Sequence, residues 1–207
     1  MLYRDTVESR TLNLLVELNQ DVKLKHYHLV GGTALSLQLG HRRSIDLDLF
    51  TREPFDSELL EKHLRKAYPN YQIEIIVRLP NTLMLKIDGI KVDFIQHDYP
   101  QLRPLIHSDS VRLASLDDIA AMKVNAIVQS GKRMKDFVDM AEIAHHRTVD
   151  QVMNAYTSKY ANGVPAQFSR KAITYFEDVK TTELPEMMHG KLDWKATQQA
   201  LINFAAG

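Results

Sequence analysis

The chain has no cysteine among its 207 residues, which excludes disulfides, thiolate metal ligands and cysteine nucleophiles. That absence fits a reducing cytosol. Long apolar runs are missing too: none approaches the roughly 20 residues that span a bilayer, so no membrane segment is expected. The opening stretch MLYRDTVESRTLNLLVELNQ carries Arg4, Asp5, Glu8 and Arg10. It holds no uninterrupted apolar core, so no signal peptide and a cytoplasmic location are expected. Charge of one sign is also lacking. Lys plus Arg number 26 and Asp plus Glu number 26, which leaves no strong pull of the whole molecule on nucleic acid or membrane. A nucleic-acid substrate would need a local patch. There is no G-x-x-x-x-G-K-[ST] loop and no G-x-S-x-G elbow, which argues against a P-loop ATPase or an α/β-hydrolase. Internal repeats and low-complexity segments are absent.

What is present is the composition of a globular protein, 44% hydrophobic and 25% charged. Helical spacing runs over about 5–25. YHLVGG reads as a short strand ending at a glycine pair, and TALSLQLG as a helix closed by Gly40. SIDLDLF alternates strictly and reads as a strand. PFDSELLEKHLRKAY reads as an amphipathic helix capped by Asp56 or Ser57. YQIEIIVRL, NTLMLKID and IKVDFIQ read as three strands, with Asp88-Gly89 a hairpin signal. HDYPQLRPLIHSDS reads as a connection, and nearly everything beyond it as helix. SLDDIAAMKVNAIVQSG is capped by Ser115 and closed at Gly131; RMKDFVDMAEIAHH follows, with further helices near 148–160, 164–178 and 193–206. The expected fold class is α+β: a mixed sheet with flanking helices over 1–105, then a helical half over 106–207.

Within SIDLDLF, alternation puts Asp46 and Asp48 on one face and Ile45, Leu47 and Leu49 on the other. Two neighbouring carboxylates on a half-buried face are costly unless a cation or donors compensate. Mg²⁺ suits them, a hard ion that takes one or two carboxylates plus phosphate oxygens. Asp93, one acid among Val92, Phe94 and Ile95, joins the pair if its strand is adjacent. Three such acids can hold two ions and favour in-line displacement at phosphorus. A bare D-x-D is more often a solvated pair, so it is the context of all three acids that carries weight.

Gly31-Gly32-Thr33 lies between a strand and a helix, where glycines allow close backbone approach and helix-start amides offer donors to a phosphate. A tight turn is the plainer reading. Arg42, Arg43 and Ser44 precede the acids. Arg42 is expected to be solvated, Arg43 could meet a phosphate, and a phosphate on Ser44 would repel an incoming triphosphate, so intact activity in Ser44→Asp would refute that inactivation point. Lys123 lies in an apolar helix. Asp136 and Asp139 share a face of the next helix, after a basic turn of Lys132, Arg133 and Lys135; the plainer reading there is a solvated helix start. His145 and His146, adjacent on a helix, cannot face one another and read as surface residues, and Trp194 reads as the anchor of the last helix.

GGTAL, HRRSIDLDLF, KVDFI, the lysine helix and KRMKDFVDM, in that order, resemble the nucleotidyltransferase toxins of the AbiEii/AbiGii group, within the DNA polymerase β-like minimal nucleotidyltransferases. The resemblance runs over about 27–145. It implies that Gly31, Gly32 and Thr33, which replaces the usual serine, cradle a triphosphate beside Arg43 and Ser44. Asp46 and Asp48 would bind Mg²⁺, or Mn²⁺ in its place, with Asp93 as the third acid assisting the attacking hydroxyl. Lys123 would contact the triphosphate, and Asp136 would complete the site. The usual arginine about six residues after the helix lysine is Gln129 here, and Arg133 is the substitute. The implied activity is transfer of NMP from an NTP to a hydroxyl of a tRNA 3′ end or a protein, by a toxin neutralised by an antitoxin encoded nearby. The rival is a catalytically inactive nucleotide-binding module acting through a protein partner.

Overall fold

The computed structural model describes residues 2–207. After a single 3-10 turn the chain forms α1 (Ser9–Gln20), then β1 (His28–Val30), α2 (Gly31–Leu39), β2 (Leu47–Thr51) and α3 (Ser57–Ala67). Three consecutive antiparallel strands follow, β3 (Ile73–Leu79), β4 (Thr82–Ile87) and β5 (Ile90–Gln96), then a short hairpin of β6 (Ile106–Ser108) and β7 (Val111–Leu113). The remainder is helical: α4 (Leu116–Gln129), α5 (Met134–Ile143), α6 (Val149–Lys159), α7 (Ala166–Ala172) and α8 (Trp194–Ala206). One mixed sheet has the order β3-β4-β5-β2-β1-β7-β6, so the fold is α+β as the sequence implies.

Local chemistry accounts for the element ends. Gly40 closes α2 with φ 75°, a left-handed cap that glycine takes without steric cost. Asp56 caps α3 by accepting from the amides of Glu58 and Leu59, and Ser115 caps α4 by accepting from that of Asp118. Asp88 (φ 49°) and Gly89 (φ 80°) join β4 to β5, the two positive φ values of a tight hairpin turn.

Three expectations need correction. The strand expected from SIDLDLF begins only at Leu47; residues 43–46 are an irregular lead-in, and Ile45 is 61% exposed rather than part of the apolar face. The connection expected over HDYPQLRPLIHSDS contains β6, and β7 follows it. This hairpin turns through Asp109 (φ 52°) and Ser110 (φ 64°), without the glycine that flags such a turn, and its strands have three residues each. Through the pairing of β7 with β1 this hairpin joins the same seven-stranded sheet. The helix expected over 164–178 is only Ala166–Ala172.

The alternation of the central strands decides what each face carries. Leu29, Leu47, Leu49, Val92 and Phe94 are at most 2% exposed and belong to one continuous core. The alternate positions, Val30, Asp48, Phe50, Asp93 and Ile95, share the other face by register. In the helical half α4 packs against α5, α6 and α2, and α2 also touches α5. Trp194 anchors α8 with its ring 5.7 Å from Phe176 and 6.1 Å from Phe137.

Candidate active site

Strands β2 and β5 run parallel with Asp48 directly opposite Asp93, so the third acid lies beside the pair. Asp93 is buried, and its Oδ1 has no hydrogen-bond partner. Its Oδ2 meets Lys91 Nζ at 2.9 Å. Burial pushes the Asp48 carboxyl up to about 6, and the neighbouring charges of Asp93 and Asp46 push the same way against Lys91 and Lys123. The centre therefore carries more negative charge than its surroundings neutralise. An orphaned carboxylate oxygen and a carboxyl reluctant to ionise fit a hard divalent cation. Among the described residues, however, no three acidic or histidine side chains converge as a ready-made metal site; the lysine is gathered there instead.

The glycine pair opens α2 against these acids. Gly31 has φ 68°, and a β-carbon on it would collide with the Asp48 carboxylate. A β-carbon on Gly32 would meet the Arg42 guanidinium. Both glycines thus serve a close approach, and the amides of the helix start lie between an acid and a cation. The Thr33 hydroxyl donates to the Asp46 carbonyl and hydrogen-bonds Ser44 Oγ at 2.8 Å. That hydroxyl holds the lead-in of β2 against the helix start.

The helical half and the loop after α2 together form a buried ion cluster where a solvated surface was expected. Arg42, expected to be solvated, is 4% exposed, and Asp136 and Asp139, expected at a solvated helix start, are 4% and 0% exposed. Asp139 accepts from Arg42 Nε at 2.6 Å and Nη2 at 2.9 Å, from Lys123 Nζ at 2.6 Å, and meets His41 Nε2 at 2.8 Å. Lys123 Nζ also reaches Asp136 Oδ1 at 2.8 Å. Burial alone would push the Asp139 carboxyl up, yet Lys123, Arg42 and His41 outweigh it and hold it well below the usual carboxylate range. Burial opposes the Lys123 ammonium as well, but Asp139 and Asp136 keep it charged. Asp139, His41, Arg42 and Lys91 were not among the sequence candidates. The i,i+3 spacing of Asp136 and Asp139 was the one available signal for Asp139.

The remaining candidates form the rim. Arg133 is exposed, with Nε 3.8 Å from Asp136 Oδ2, and Gln129 lies exposed at the end of α4. Arg43 pairs with Glu186 at 2.9 Å, and its amide donates to the Glu186 carbonyl. The Met188 amide donates to the His41 carbonyl, and that of Lys180 to the Lys132 carbonyl. The loop between α7 and α8 therefore straps both basic loops. His145 and His146 are exposed, as expected.

The family described as nucleotidyl transferase AbiEii toxin, type IV toxin–antitoxin system, matches residues 13–206. An uncharacterized protein of Aquifex aeolicus is 34% identical over 160 residues, covering 74% of this chain and 75% of its own. A crystallised candidate nucleotidyltransferase of H. pylori is similar in fold with TM-score 0.60 and 18% identity, over 96% of this chain and 94% of that one. The antibiotic-resistance factor ANT(2'')-Ia is similar with TM-score 0.53 and 13% identity, over 72% and 91%.

Proposed function

The chain belongs to the AbiEii nucleotidyltransferase toxin family, and from that premise we propose that it moves NMP from an NTP to a hydroxyl of a macromolecule, a tRNA 3′ end or a protein, with release of pyrophosphate. The observation that carries this reading is the pairing of Asp48 with Asp93 across β2 and β5, directly against the Gly31 turn. The amides of Gly31, Gly32 and Thr33 and the cations of Arg42 and Lys123 would receive the polyphosphate, with Arg43, Ser44 and Arg133 at its entrance. Asp46, Asp48 and Asp93 would hold Mg²⁺ or Mn²⁺, which would supply charge stabilisation at phosphorus. The acceptor oxygen bonds to the α-phosphorus as the bond to pyrophosphate breaks. Its proton passes to the Asp93 carboxylate, whose Oδ1 has no other hydrogen-bond partner. Lys123, charged and fixed by two carboxylates, is placed to neutralise the leaving pyrophosphate.

The family also supports a toxin role with an antitoxin partner. The test is incubation of the purified protein with each radiolabelled NTP, Mg²⁺ and total tRNA, with Asp46→Ala as the control. Label on RNA or protein with the wild type alone is expected. No transfer from any NTP to either acceptor would overturn the reading. Gln129 favours a second reading, a nucleotide-binding module without turnover, because no arginine of α4 stands in its place. NTP binding by calorimetry with no label transfer would select it.

A further inference from the structure

Lys91 stands two residues before Asp93 on β5, so their side chains share the sheet face that also carries Asp48. It is the one cation in direct contact with Asp93 among the described residues, through Oδ2 at 2.9 Å. The ammonium is reachable, its side chain 41% exposed against 5% for Asp93. The other oxygen of Asp93 is buried and unpartnered. The three acids do not converge on a common point as metal ligands, although two of them are register neighbours. A half-exposed lysine thus sits beside the paired carboxylates of Asp48 and Asp93, on one of the two Asp93 oxygens, with an open route to solvent.

We propose that Lys91 is the built-in counter-cation of the carboxylate centre and makes metal binding depend on the nucleotide. A divalent ion arriving alone has to displace the ammonium from Asp93 and then sits beside a displaced like charge. A metal–triphosphate complex brings its own negative charge, with which the displaced ammonium pairs. The four-carbon stem of lysine allows that swing without moving the backbone. Lys91 is therefore a positioning residue: it suppresses idle metal loading and clears the Asp93 carboxylate when substrate arrives. This rests on the reading of Asp46, Asp48 and Asp93 as the metal-binding acids.

The test titrates the full-length wild type, Lys91→Met and Lys91→Arg with Mn²⁺ alone, by calorimetry, and again with a non-hydrolysable NTP analogue. Wild type and Lys91→Arg should bind Mn²⁺ weakly alone and firmly with the analogue. Lys91→Met should bind Mn²⁺ alone about tenfold more tightly, as removal of one nearby positive charge implies. Its thermal midpoint without metal should fall and recover on adding Mn²⁺. Equal Mn²⁺ affinity of wild type and Lys91→Met, with metal bound by both, would overturn the role of Lys91 and leave the metal site standing. No Mn²⁺ binding by any of the three, even with the analogue, would overturn both.

Discussion

Asp48 and Asp93 face each other across two strands, yet the two should respond differently to substitution. Asp48 is held in its neutral form up to about 6 by burial and by its acidic neighbours. Its ionisation at neutral pH therefore works against the fold. Asp48→Asn should abolish transfer and raise the metal-free thermal midpoint, by about 2–4 °C for each kcal/mol of repulsion relieved. Asp93→Asn should lower transfer by about 10²–10⁴-fold, as expected for loss of the group that takes the hydroxyl proton, and should weaken binding of the metal–NTP complex as well. Thermal scans and single-turnover assays on the same preparations separate the two outcomes. The acids were legible in the sequence because period-2 alternation placed them among apolar residues. Lys91 was not, because nothing in KVDFIQ says that the lysine folds back onto its own neighbour.

At the scale of elements, the cluster that joins α5 to the loop after α2 is the most exposed to a single change. Asp139 is the shared counter-ion of Arg42 and Lys123, all three buried. Asp139→Asn leaves Arg42 without its partner and Lys123 with only Asp136. Removing one member of a buried ion pair typically costs about 3–5 kcal/mol, so the urea midpoint should fall sharply. Arg133→Ala, on the exposed rim of the same helix, should shift stability by less than about 0.5 kcal/mol. Equal midpoints for the two variants would show that the cluster contributes nothing to holding the elements together. Helix α5 was recognisable from its spacing, but its acids read as a solvated first turn. The cations that bury them come from α4 and from the loop after α2, 13 and 97 residues away from their partners in sequence.

For the whole molecule, mild acid should be destabilising. Burial lowers both His28 and His97 to about 4 from an ordinary 6.5; nearby Lys159 acts in the same direction on each, while Asp118 opposes. The unfolded chain thus takes up protons at higher pH than the folded one. Stability contributed by the neutral imidazoles is complete above the ordinary histidine value and is lost as pH falls from about 6.5 toward about 4. The thermal midpoint should drop between about pH 7 and about pH 5, because the two histidines together outweigh the opposite contribution of Asp48, which takes up its proton at about 6, and a His28→Gln, His97→Gln double variant should abolish that drop. These histidines lie where β1 and the end of β5 meet the helical half, with His97 Nε2 3.1 Å from the Tyr160 hydroxyl of the residue closing α6. The pH response therefore reports on the junction between sheet and helices. Nothing in the spacing of YHLVGG marks His28 for burial; the pairing of β1 with β2 on one side and β7 on the other puts its strand in the interior of the sheet.

By itself the sequence determined the central elements, the α3 cap as Asp56 or Ser57, the α4 cap at Ser115, the hairpin at Asp88-Gly89 and the strand positions of Asp48 and Asp93, because each depends on side-chain period or on a local hydrogen bond. It also carried the family resemblance, since the ordered motifs span most of the chain. Only the tertiary structure decided that β2 lies parallel to β5 with Asp48 against Asp93. It alone showed that a glycine-free turn adds a hairpin to the far edge of the sheet, and that Arg42 turns inward to Asp139. Those outcomes depend on which distant surfaces bury one another. Charge compensation across 97 residues of chain is settled by burial and not by spacing.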